Sequence, residues 1–168
     1  MRRDRDTAGR PRNSRPRDAL GRPLARGQES GADPERIPDD LALTGTEAVR
    51  LADQLMRAGR PFHAHEVLEA SWKSGPARER DLWQGLAQIA VGYTHAGRGN
   101  ARGAATLLRR GAQRVRAYLD HDPVDGDGPY GIDLAGVLAA TDDLAARIER
   151  DGLAEVPPAD LRLRLTRG

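Results

Sequence analysis

The stretch WQGLAQIAVGYTH, residues 83–95, decides the fold of this chain of 168 residues. At about 100° per residue, as in an α-helix, its apolar side chains cover more than half of the circumference, which is the pattern of a helix packed on most sides. The rest is a narrow polar strip beside Gly85 and Gly92, which lack side chains and let another helix approach closely. The stretch therefore predicts a central, largely buried helix. Its polar strip consists of Gln84, Gln88 and His95.

Amphipathic patterns on both sides of this stretch predict four more helices, and no alternating apolar run bounded by turn residues lies between them. Thr46, Asn100 and Asp133 are the expected N-caps of the first, fourth and fifth helices, and Pro61 suits the first position of the second. The predicted fold class is all-α, a compact antiparallel bundle of about five helices. The helices are expected at about residues 46–59, 61–73, 77–96, 100–119 and 133–151, with a flexible loop at about 120–131.

The first 40 residues differ in composition from the rest of the chain. They hold Arg, Pro, Gly, Asp and Ser with almost no aliphatic residues, so they cannot bury enough apolar surface to offset the entropy lost on ordering. We expect residues 1–40 to be a disordered tail and residues 41–168 to be a single helical domain. At its end, residues 153–168 contain the alternation Leu161-Arg-Leu-Arg-Leu165, which predicts an extended segment that lays leucines on the core.

Charge is distributed unevenly along the chain. Residues 1–27 hold nine Arg and three Asp, a net charge of +6, which leaves −4 on the remainder. A basic tail can bind nucleic acid by counterion release, and the fourth predicted helix adds an arginine face. The tail has no aromatic residues for base stacking, so nucleic acid is kept only as an alternative partner. The arginines of the helical face are Arg102, Arg109, Arg110, Arg114 and Arg116.

Composition also bears on the cellular compartment. The chain has no cysteine, so it has no disulfides and no thiolate zinc site. No apolar run reaches the roughly 18–20 residues of a membrane-spanning helix, and the arginines at positions 2 and 3 are not followed by the apolar region of an export signal. We expect a soluble cytoplasmic protein with no membrane partner.

The candidate site is the stretch FHAHEVLEASW, residues 62–72, which holds two of the four histidines. On a helix, His65 and Glu69 stand four apart and Glu66 and Glu69 three apart. These three side chains can therefore converge on one point, as metal ligands or acid and base partners must. Glu69 also precedes Lys73 by four, so the same residues can form a ladder of exposed ion pairs.

Two other interpretations compete with that ladder. HEVLE lacks the second histidine of the HExxH zinc-protease motif, and the neighbouring helices do not supply the carboxylates of a di-metal bundle. A single divalent metal held by His65, Glu69 and His95, with Glu66 as general base, would define a metal-dependent hydrolase. Alternatively, the polar strip of the central helix meets His65 and Glu69 in a buried polar network.

Three motifs follow one another on the second, third and fourth predicted helices. They are Phe62-x-x-His65-Glu66-x-x-Glu69-x-x-Trp72, then Gln84-Gly-Leu-x-Gln88-x-Ala90 with His95, then Gly99-Asn100-x-x-Gly103-Ala104-x-x-Leu107-Leu108. Together they resemble a family of small bacterial all-helical proteins known as domain of unknown function 309, over a core of roughly residues 44–120. The resemblance implies a compact antiparallel helical domain in which the His/Glu motif faces the Gln/His strip. It implies no activity.

The sequence leaves the function unknown and three hypotheses open. The first is a non-enzymatic helical domain whose polar groups form an interhelical network or line a small ligand cleft for an unknown protein or small molecule. The second is the metal-dependent hydrolase, and the third is an accessory nucleic-acid-binding protein that uses the basic tail. The candidate ligand or network residues are Phe62, His65, Glu66, Glu69, Trp72, Gln84, Gln88, His95 and Asn100.

Overall fold

Five α-helices, three short 3-10 turns and no strand make up the part of the chain that the computed structural model describes, residues 20–22 and 42–168. Each helix packs on its neighbour along the chain, and α3 lies between α2 and α4. The predicted all-α bundle is therefore confirmed. The helices are α1 (Gly45–Arg57), α2 (Pro61–Ser74), α3 (Arg80–Gly97), α4 (Ala101–His121) and α5 (Leu134–Asp151), and the 3-10 turns are Ala77–Glu79, Pro129–Gly131 and Pro158–Leu161. The predicted disordered tail, residues 1–40, lies outside the described residues except for residues 20–22.

Local side-chain caps explain where the helices begin. Asn100 accepts a hydrogen bond from the Gly103 amide and Asp133 accepts one from the Gly136 amide, so both predicted N-caps are confirmed. The N-cap predicted for α1, Thr46, is wrong. The cap is Thr44, because the Glu47 carboxylate bonds back to the Thr44 amide at 2.8 Å and completes a capping box.

Helix α3 is the central, buried helix that its sequence predicts. Trp83, Leu86, Ile89 and Tyr93 are each at most 2% exposed, and they belong to one core to which all five helices contribute. Burial on this scale stabilises the fold by about 1.5–3 kcal/mol for each large side chain. The core thus forms around α3.

Glycines bring α3 and α4 into direct backbone contact. A Cβ atom added at Gly111 would lie 2.7 Å from the Gly85 carbonyl oxygen and 2.8 Å from the Ile89 amide nitrogen, and one added at Gly92 would lie 2.8 Å from the Leu108 side chain. Distances below 3.0 Å are not tolerated by real Cβ atoms. The close approach predicted for Gly85 and Gly92 is therefore confirmed, and Gly111 is its counterpart on α4.

The end of the predicted flexible loop, residues 120–131, is anchored in the bundle. Tyr130 donates its hydroxyl to the buried carboxylate of Glu79 at 2.8 Å, and the same carboxylate accepts the Trp83 indole N–H at 3.0 Å. Tyr130 adopts a positive φ of 60°, and its ring packs so tightly on Gly45 that a Cβ there would lie 2.4 Å away. The sequence pattern did not predict this anchor.

The C-terminal segment packs leucines on the core, as the alternation predicts, but Leu161 lies in the 3-10 turn Pro158–Leu161 and not in extended chain, and the contact with α1 was not predicted. Leu163 and Leu165 are buried while the arginines between and beside them are exposed. The buried carboxylate of Asp53 on α1 accepts a hydrogen bond from the Leu165 amide at 2.6 Å and pairs with Arg57 at 2.8 Å. This carboxylate holds the segment in place.

None of the helices in the described ranges is long and apolar enough to cross a membrane.

The glycine contact between α3 and α4 can be tested by filling it. We expect Gly111→Val to lower the free energy of unfolding by about 1–3 kcal/mol, because the new methyl groups must push the two backbones apart. Gln113→Val is the matched control, since it places the same side chain at an exposed position of the same helix, where surface substitutions stay within about 0.5 kcal/mol. Equal losses for the two variants in urea denaturation would contradict the contact.

Candidate functional site

The candidate site begins at the first turns of α2. Pro61 at the first helical position starts the helix there and places three aromatic rings within two turns. The ring centroid of half-buried Phe62 lies 5.9 Å from that of His63 and 5.6 Å from that of His65. His63 is 3% exposed, and the Arg60 guanidinium lies 3.4 Å from its Nε2 atom. His63 was not among the predicted site residues, and its contacts with Phe62 and Arg60 place it in the site.

The histidine and glutamate of α2 form a pair in the structure. His65 Nε2 lies 3.1 Å from Glu69 Oε2, and Lys73 Nζ lies 3.1 Å from the other oxygen of the same carboxylate. The His65 side chain is 23% exposed and that of Glu69 is 37% exposed, so the pair lies at the edge of the core. Burial lowers the pKa of His65, and the negative charge of Glu69 partly opposes that shift. At neutral pH the imidazole is therefore mostly uncharged.

The second predicted histidine, His95, lies in the last turn of α3, next to the turn between α3 and α4. The side-chain amide of Asn100 lies 3.1 Å from His95 Nδ1, so that Asn100 binds His95 while it also caps α4. Burial is the main cause that lowers the pKa of His95, and the positive charge of Arg98 adds to it. These predicted polar residues therefore form two local pairs: His65 with Glu69 on α2, and His95 with Asn100 at the turn between α3 and α4.

The other predicted residues lie along the same two helices. Gln84, Gln88 and Glu66 are half-buried, and Trp72 packs against the edge of the core. The Gln88 Oε1 atom is buried without a hydrogen-bond partner among the described residues. Within those residues, no three His, Asp or Glu side chains are grouped so that they could hold a metal ion. The metal set His65, Glu69 and His95, the base Glu66 and the interhelical network stay predictions.

Residues 20–22 also contact the candidate site, where they pack on the start of α2 and the end of α3. The Arg98 guanidinium donates to the Leu20 carbonyl oxygen, with Nε at 2.8 Å and Nη2 at 2.5 Å. Gly21 is buried with its backbone directly against the ring of Phe62, and the Leu20 side chain packs on Gly97. We call four residues the α2–α3 surface: Phe62, Gly97 and Arg98, which contact residues 20–22, and His65, whose ring lies beside that of Phe62. Sequence patterns could not place residues 20–22 there, because the contact joins positions about 40 to 80 residues apart.

The arginine face of α4 is largely paired with carboxylates. Arg109 donates to Glu149 at 2.9 Å, Arg114 donates to Asp81 at 3.1 Å, and Arg116 pairs with Asp142. These contacts tie α4 to its neighbours α3 and α5. Three of the five arginines on the predicted cationic face therefore hold helices together, which weakens the case for a nucleic-acid surface on this helix.

The fold and site define a small all-helical domain with a histidine–glutamate pair on its second helix. Residues 49–107 match the family model DUF309, described as a domain of unknown function, and so confirm the resemblance that the motifs indicate. Over 89 residues the chain is 32% identical to the uncharacterized protein YpuF of Bacillus subtilis (strain 168). That alignment covers 52% of this chain and 48% of the relative, so the chain spans about half the length of the curated protein it matches. No solved structure matches. The matched region contains every residue of the α2–α3 surface, but not residues 20–22.

The lowered pKa of His65 predicts how stability depends on pH. Because His65 binds a proton more readily in the unfolded chain, its contribution to the free energy of unfolding should be constant well above the ordinary histidine pKa of about 6.5 and should decrease as the pH drops from there to the lowered pKa of the folded state. We expect His65→Gln to lose part of that dependence in melting curves between pH 8 and pH 5. His121→Gln, the same substitution at an exposed position, is the control, and identical curves for both variants would contradict the assignment.

Proposed function

We propose that this protein is a non-enzymatic binding domain and that its α2–α3 surface binds an extended stretch of polypeptide. The observation that carries the proposal is the position of residues 20–22, whose backbone lies on Phe62 and is hydrogen-bonded by Arg98. Half-buried aromatic rings and a guanidinium group are the residue types that dominate protein recognition sites. They are here grouped at one end of the bundle.

The chemistry of the surface suits a polypeptide backbone better than a reaction centre. Arg98 directs two donors at one carbonyl oxygen, and a guanidinium has five N–H donors in a rigid fork. Phe62 offers a flat apolar face beside that fork. The Leu20 carbonyl oxygen accepts the hydrogen bonds of Arg98, and the backbone of Gly21, which has no side chain, lies against the ring of Phe62. Two adjacent backbone positions thus satisfy the guanidinium and the ring together.

The polar pairs around the surface have a supporting part in this proposal. The His65–Glu69 pair stabilises the first turns of α2, which carry Phe62, and the Asn100–His95 contact holds the turn that carries Arg98. Each pair thus keeps one half of the surface in position. The proposal also takes the protein to act in the cytosol, which the lack of cysteine suits.

The proposal is tested with a labelled peptide whose sequence is that of residues 17–24, RDALGRPL. Fluorescence anisotropy should show saturable binding to full-length protein that carries Gly21→Val, because that substitution removes the chain's own segment from the surface. Adding Arg98→Ala to this variant should weaken binding at least tenfold, which is about 1.4 kcal/mol.

Arg102→Ala in the same Gly21→Val background is the matched control, because Arg102 is an exposed arginine near the start of α4. It should leave the dissociation constant unchanged. Circular dichroism melting curves identify any variant that fails to fold. Absence of binding to a folded Gly21→Val protein, or equal losses for the Arg98 and Arg102 variants, would overturn the proposed function.

A further inference from the structure

We propose that the ligand of the α2–α3 surface is a peptide segment in which an aliphatic residue precedes glycine, and that Leu20 and Gly21 are a copy of this ligand in the same chain, which a partner must displace. The inference rests on the proposed function and adds to it the chemistry of the ligand and the competition at the site. It is carried by what each position of residues 20–22 contacts.

The glycine position is the most restrictive. A Cβ atom at Gly21 would lie 2.3 Å from both Cγ and Cδ2 of Phe62 and 2.7 Å from Cδ1, so any side chain there would overlap the ring. Gly21 also has a φ of 72°, in the left-handed region that side chains disfavour. Phe62 cannot easily move aside, because Phe62 is part of α2 and packs against two histidine rings. Space and backbone conformation thus select glycine independently.

The preceding position selects an aliphatic side chain. A Cβ atom at Gly97 would lie 2.6 Å from Cδ2 of Leu20, so the leucine fills the space that the missing side chain of Gly97 leaves at the end of α3. Arg98, the next residue, donates hydrogen bonds to the carbonyl oxygen of Leu20 and so recognises the backbone of the ligand and not its side chain. The surface therefore recognises one side chain, one carbonyl group and one glycine, in that order along the ligand.

Leu20 and Gly21 lie in a different region of the sequence from the surface that they occupy. All four surface residues lie inside the region that matches the family model, residues 49–107, whereas Leu20 and Gly21 lie before it. A ligand within the same chain binds in an intramolecular step, so a partner in solution must compete against its effective concentration. A glycine-containing partner would therefore bind weakly while Leu20 and Gly21 occupy the surface, and more tightly once they leave it.

The test compares full-length wild-type protein with the Gly21→Val variant, using the labelled RDALGRPL peptide and a second peptide in which valine replaces the glycine. We expect the first peptide to bind the variant at least tenfold more tightly than the wild type, because the variant cannot occupy its own surface. The valine peptide should bind the variant at least tenfold more weakly than the glycine peptide.

The outcomes separate the two claims. Equal affinity of the glycine peptide for wild type and variant would overturn the competition while leaving a polypeptide-binding surface. Equal affinity of the two peptides for the variant would overturn the glycine requirement. Absence of binding to either folded protein would overturn the proposed function and this inference together. The variant Gln113→Val, a valine substitution at an exposed position of α4, serves as a control and should bind the peptide like the wild type, since it leaves Gly21 in place.

Discussion

The backbone contact between α3 and α4 at Gly85 and Gly111 is the constraint on which the rest of the structure depends. It lets two helices lie closer than side chains of ordinary size permit, so that α3 is enclosed by α4 on one side and α2 on another. Because α3 is fixed on these sides, its two ends have defined positions in the bundle. Each end supports a different polar arrangement: one anchors the core, and the other carries the α2–α3 surface for which we propose binding.

The N-terminal end of α3 packs against Tyr130 and the buried carboxylate of Glu79. The carboxylate of Glu79 is buried, and the Trp83 indole and the Tyr130 hydroxyl both donate to it. A buried carboxylate without such donors would be costly, and the left-handed backbone of Tyr130 costs of order 1–3 kcal/mol on its own. Burial and the hydrogen bond to Glu79 also raise the pKa of the Tyr130 hydroxyl, so it remains a donor at neutral pH. This end is a structural anchor between α1, α3 and the loop before α5.

The other end of α3 is covered by residues distant in the sequence. Gly97 and Arg98 lie just before Asn100, which caps α4, and residues 20–22 contact both of them as well as Phe62 in the first turn of α2. The polar groups there are paired locally: half-buried His65 with Glu69, and half-buried His95 with exposed Asn100. In the proposed function these pairs keep the α2–α3 surface in position for a segment of polypeptide. That role for the motif residues would require no reaction.

Much of the fold could be predicted from the sequence, because its signals are local. Apolar periodicity identifies α3 as the central helix, and Asn100, Asp133 and Pro61 begin their helices as short-range rules predict. The start of α1 was misplaced by two residues, because Thr44 and Thr46 are both acceptable caps until the partner Glu47 is considered. The anchor at Tyr130 and the Asp53 carboxylate that holds the C-terminal segment were not predicted, since each depends on a contact across 51 or 112 residues.

For the site, the predicted residues include Phe62 and His65 of the α2–α3 surface but not Gly97 and Arg98. The pairing of His65 with Glu69 follows from helical spacing, whereas residues 20–22 come from a part of the chain whose composition indicates only disorder. No pattern of apolar residues connects that segment to Phe62. The connection appears only when the backbone of Gly21 and the ring of Phe62 are placed in space.

The contact between Gly21 and Phe62 is tested most directly by the proton NMR spectrum of the full-length, unmodified protein. Phe62 is the only phenylalanine in the chain, so its ring protons can be assigned without ambiguity. If residues 20–22 occupy the α2–α3 surface, nuclear Overhauser effects are expected between those ring protons and the α-protons of Gly21, together with ring-current shifts of the glycine signals. A Gly21 with random-coil shifts and no contact to Phe62 would contradict the claim that this segment occupies the α2–α3 surface.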